Sequence, residues 1–138
     1  MIDPWFIRIN LAASGTVYCP AYLQLIRTRT LSFTVRCTFG ASGDDNLTVN
    51  VYYSPDGRNW DTIPYATGTV TLSAGNTVQR TFLIDAPEHG YMKIELVNES
   101  QADTISNIKV WYEIQAWMET YSYRRGAVTE DVTEEPTG

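Results

Sequence analysis

Few residues of this 138-residue chain could carry out chemistry. His89 is the only histidine, and its unperturbed pKa suits proton transfer near neutrality. It stands in Pro87-Glu88-His89-Gly90, a turn, where a solvent-facing role is expected. No Gly-x-Ser-x-Gly elbow accompanies it, and the flanks of Cys19 and Cys37 do not suggest an activated thiolate. These features predict a non-enzymatic protein with no catalytic residue. Asp44, Asp45, Asn46, Asp56, Asp61, Asp85 and Glu88 fall in predicted turns, where oxygen ligands could gather around calcium. Asp and Asn are equally the residues that build turns. No Cys/His spacing suits zinc and no Gly-rich loop leads into a helix, so no metal or cofactor is expected.

Aromatic side chains carry the stronger signal. Strand alternation places Tyr52, Tyr91 and Trp111 facing outward, and Trp117, Tyr121 and Tyr123 follow the last strand. Large outward rings need a cover, whether loops or arms, another subunit, or a ligand such as a sugar ring that stacks on them. These six are the candidate interface or ligand-stacking residues.

The elements that must position them read as strands. Leu31, Phe33, Val35, Cys37 and Phe39 alternate with polar residues, as do Leu47, Val49, Val51 and Tyr53, and a hairpin from Leu31 to Tyr53 is expected. Ser54-Pro55-Asp56-Gly57 then reverses the chain, because Pro presets φ, Asp bonds its own backbone and Gly accepts positive φ. Trp60 follows as a plug closing one end of the core; if it is buried there, Trp60→Ala costs about 3 to 5 kcal/mol and unfolds the domain.

Elsewhere, Trp5, Ile7, Ile9 and Leu11 make one face of a first strand, and Pro20 breaks Thr16 to Arg27 into two strand-like pieces. A strand from Thr69 to Leu72 precedes the turn Ser73 to Asn76. Val78, Phe82 and Ile84 share a face on which Arg80 is the exception, to be explained by a sheet edge or a bulge. Met92, Ile94 and Leu96 mark the next strand, and Ile108, Val110, Tyr112, Ile114 and Ala116 the last. About eight strands and no amphipathic helix predict an all-β, antiparallel, jelly-roll-like sandwich over residues 1–117, followed by a C-terminal arm and acidic tail at 118–138.

The net charge of −6 opposes binding to a nucleic-acid backbone, and from Glu119 onward five acidic residues face two basic ones. The first ten residues lack a basic leader, and no apolar run approaches the roughly 20 residues of a membrane span. No signal peptide and no membrane partner are expected, and the localisation expected is a host cytoplasm or a virion. Under those conditions the two cysteines are expected to be buried thiols.

The segment Val51 to Trp60, VYYSPDGRNW, resembles the strand and turn of discoidin-like and carbohydrate-binding galactose-binding-domain sandwiches. That likeness implies a glycan-binding module using Tyr52, Trp111 or Trp60 as stacking platforms. Over Leu31 to Trp117, the layout also resembles small β-sandwich proteins of phage and virus particles. That likeness implies a self-associating homo-oligomeric particle component, such as a capsid decoration, minor capsid or fibre-base protein. With no catalytic constellation and aromatic residues near both termini, the sequence favours the particle component as the leading expectation and the glycan module as its alternative.

Overall fold

The structure is a computed structural model that describes residues 3–117, so Tyr121, Tyr123 and the acidic tail lie outside the described residues. The described residues form nine strands and no helix: β1 Phe6–Leu11, β2 Thr16–Tyr18, β3 Leu23–Ile26, β4 Thr28–Phe39, β5 Leu47–Ser54, β6 Ala66–Val70, β7 Thr77–Asp85, β8 His89–Asn98 and β9 Ile105–Ala116. All pair antiparallel in two sheets. One has the order β1-β9-β4-β7, and the other the order β2-β8-β5-β6 with β3 also on β8. β2 pairs with Glu95 to Val97 and β3 with His89 to Met92, so together they are one edge strand interrupted around Pro20. Counted as one, they leave eight strands in two four-stranded sheets in jelly-roll order, the chain changing sheet at every connection except that between β5 and β6.

The core lies between the sheets because one face of each strand is apolar. Leu31, Phe33, Val35, Cys37 and Phe39 of β4 are fully buried, and opposite them stand Leu47, Val49 and Val51 of β5 with Met92, Ile94 and Leu96 of β8. The outward row of β4 is a polar ladder: Thr34 Oγ1 lies 2.9 Å from Thr81 Oγ1, and Thr38 Oγ1 lies 2.8 Å from Thr77 Oγ1. Both cysteines are buried free thiols, and burial pushes each up to about 12.

Four sequence expectations need correction. The hairpin from Leu31 to Tyr53 does not form, because β4 pairs with β7 and β9 while β5 pairs with β6 and β8. The loop after Phe39 carries the chain to the other sheet, where the two apolar rows meet across the core rather than edge to edge.

In β1, Ile7 and Ile9 are 53% and 65% exposed, while Phe6 and Leu11 pack inward. The cause is a bulge in β9, where Asn107 adopts φ 51° and the register with β4 shifts between Arg36 and Thr38. β1 keeps one register on β9, with Phe6 opposite buried Val110 and Leu11 opposite buried Ile105, so its inward parity changes along with that of β9.

The sixth strand begins at Ala66 rather than Thr69. Finally, Trp60 is not part of the core. Arg80 is explained by the edge alternative: β7 pairs with β4 without interruption, and the guanidinium reaches across to Thr69 O while lying over the Phe82 ring.

Candidate functional site

The register of β5 on β8 sets Tyr52 beside Lys93 and Asn50 beside Glu95. Alternation turns these four away from buried Val51, Ile94 and Leu96, onto the outer face of the second sheet. β2 adds Tyr18 next to Glu95, and β6 adds Thr67 next to Asn50, giving a polar row across four strands. Within it, Asn50 Nδ2 donates to Glu95 Oε1 at 2.8 Å, Tyr52 OH donates to the same oxygen at 3.3 Å, and Thr67 Oγ1 donates to Asn50 Oδ1 at 2.9 Å. Hydrogen bonding to Glu95, then burial and the carboxylate's charge, pushes the Tyr18 phenol up to about 12. Burial, followed by the same carboxylate, raises Tyr52. Both phenols therefore remain protonated donors at neutral pH.

The Ser-Pro-Asp-Gly turn brings a further ring to this face. Ser54 is buried, and its Oγ accepts from the backbone N–H of Gly57 at 2.9 Å and of Asp56 at 3.3 Å. The Asp56 carboxylate accepts from the backbone N–H groups of Asn59 and Arg58, both at 2.8 Å, and from Asn59 Nδ2 at 2.6 Å. Those bonds hold its carboxyl well below the usual carboxylate range. Gly57 takes φ 78°, and a Cβ there would come within 3.3 Å of the Tyr91 ring, so the turn sits directly on Tyr91.

The returning chain is pinned where Asp61 N donates to Tyr53 O at 3.0 Å. That end of the sheet is already filled by Tyr53, whose hydroxyl donates to His89 O at 2.8 Å. Trp60 therefore lands on the outer face, edge-on to Tyr22 with ring centroids 4.8 Å apart.

The result is a cluster in which Lys93 Nζ lies 4.7 Å from the Trp60 centroid, 4.9 Å from Tyr18 and 5.8 Å from Tyr52. Tyr18 and Tyr22 remain 47% and 53% exposed. Aromatic faces beside amide, carboxylate and ammonium groups can stack on a ring while exchanging hydrogen bonds with its hydroxyls.

Of the six residues chosen from sequence, Tyr121 and Tyr123 lie outside the described residues and the other four do not converge. Tyr52 belongs to the cluster and Tyr91 supports the turn beside it. Trp111 stands on the outer face of the other sheet under Arg36 at 5.0 Å, and Trp117 lies beyond β9 under Arg29 at 5.0 Å. Sequence reasoning missed Tyr18, Tyr22 and Lys93; the outward parity of Lys93 with Tyr52 was the signal available. Exposed His89 opens β8. Among the described residues no three His, Cys, Asp or Glu side chains gather as metal ligands. A cleft of about 380 Å³ opens between β6 and β7 and shares only Thr67 with this face.

No family model matches the chain, and no curated protein matches it. Among solved structures it is similar to a family 16 carbohydrate-binding module-2, at 12% identity and TM-score 0.45 over 77% of this chain and 72% of that one. It is also similar to a family GH115 4-O-methyl-α-glucuronidase with specificity for decorated arabinogalactans, at 9% identity and TM-score 0.43 over 74% of this chain. The chain spans 14% of that enzyme's length. With both TM-scores below 0.5, any functional argument rests on the chain's own residues.

Proposed function

We propose that this chain is a non-enzymatic glycan-binding domain that holds a sugar chain on the outer face of the β2-β8-β5-β6 sheet. The observation that carries the reading is the convergence of Tyr18, Tyr22, Tyr52 and Trp60 around Lys93 and Glu95 on a solvent-facing surface. Stacking rings supply affinity that tolerates sequence variation in the glycan, and Asn50, Glu95 and Thr67 supply directional contacts to hydroxyls. A glycan array followed by calorimetric titration tests it. Saturable binding to a sugar oligomer is expected, and absence of binding across the array would contradict it.

A second reading, self-association as a particle component, is favoured by a different observation. Ile7, Ile9 and Leu83 are exposed on the other sheet, whose outer strands β1 and β7 each pair on one side only among the described residues. Light scattering on the full chain separates the two: a trimer or larger supports assembly, and a monomer supports the module.

A further inference from the structure

We infer, resting on the glycan-binding reading, that Lys93 recognises an anionic substituent of the glycan, a carboxylate or a sulfate ester, so that the preferred ligand is an acidic sugar oligomer. An ammonium group carries three N–H donors. Those of Lys93 have no hydrogen-bond acceptor and no ion-pair partner among the described residues; its contacts are the rings of Trp60, Tyr18 and Tyr52 at 4.7, 4.9 and 5.8 Å. Ring quadrupoles attract the charge without consuming these donors.

The carboxylate of the cluster, Glu95, is engaged by Asn50 and Tyr52 and receives the Tyr18 hydroxyl. It is therefore held as an internal acceptor rather than as a counter-ion for Lys93. The neighbouring rings lower the local dielectric and strengthen the pull of the ammonium on an incoming anion. The chain's net charge of −6 gives no long-range attraction for an acidic polymer, so recognition must come from this short-range contact.

The test is calorimetric titration of the full chain with four probes: an oligogalacturonide, a sulfated galactan oligomer, a cello-oligomer and a xylo-oligomer. Each is run at low and high salt, with wild type, Lys93→Met and Lys93→Arg. Methionine keeps the stem and removes the charge. At least one acidic oligomer should bind, weakening about tenfold in Lys93→Met and at high salt, with Lys93→Arg keeping most of the affinity. The acidic probe that binds identifies carboxylate or sulfate as the recognised group. Equal affinity for acidic and neutral oligomers, or an acidic affinity untouched by Lys93→Met, overturns this inference and leaves the glycan reading standing. No binding of any probe by a folded wild type overturns this inference, and overturns the glycan reading as well where the glycan array is also blank.

Discussion

Replacing Asn98 with leucine is expected to remove about 3 to 4 kcal/mol of stability and to lower the melting temperature by roughly 10 to 20 °C. Asn98 is fully buried at the end of β8. Its Nδ2 donates to Leu11 O at 3.1 Å, Ala12 O at 3.2 Å and Asp103 O at 3.0 Å, while its Oδ1 accepts from Ser100 N at 3.0 Å. One amide thus ties the β1–β2 link, β8 and the loop leading into β9. Leucine keeps the branched shape of the side chain but leaves three carbonyls and one N–H without that partner. Two of these groups, Leu11 O and Ser100 N–H, are bonded in buried surroundings, and at about 1 to 3 kcal/mol for each orphaned buried group they centre the expected loss near 3 to 4 kcal/mol, while water reaches the other two carbonyls. Thermal unfolding followed by circular dichroism checks this, and a melting point within a few degrees of wild type would contradict it.

The second large effect falls on binding rather than on folding. Trp60→Ala is expected to leave the domain folded, with a stability loss of at most about 1.5 kcal/mol, because its partners are the surface ring of Tyr22 and the Lys93 ammonium rather than core side chains. Sugar affinity should fall by at least about tenfold, since the mutation removes a platform and releases Lys93 and Tyr22 from their contacts. A variant that unfolds would restore the core-plug role. One that binds like wild type would remove Trp60 from the site.

The legible and illegible parts of this fold differ for physical reasons. β4 could be read because both of its faces are consistent, with buried Leu31 to Phe39 on one side and a threonine ladder on the other. Alternation reports which face a residue takes but not which strand lies beside it, so β4 and β5 read as a hairpin although they sit in different sheets. β1 was misread because a bulge at Asn107, on the neighbouring strand, shifts its phase, and nothing in β1 itself carries that information.

The Ser54 to Gly57 turn was legible from residue chemistry, but where it aims Trp60 depends on Tyr53 and Tyr91 arriving from elsewhere in the chain. Lys93 on a strand reads as an ordinary solvated charge; the register of β8 against β2 and β5 brings Tyr18 and Tyr52 to it, and the turn after β5 brings Trp60. Tyr18 stayed unassigned because Pro20 obscured its register.

The measurement that tests the central claim most directly is two-dimensional NMR of the labelled full chain, titrated with a sugar oligomer that binds in the array. The glycan reading predicts saturable shifts in the Trp60 indole and in the Tyr18, Tyr22, Tyr52 and Lys93 signals, with the Trp111 indole on the opposite sheet unmoved. Shifts confined to the Trp111 face or to the β6–β7 cleft, or no saturable shift at all, would contradict it.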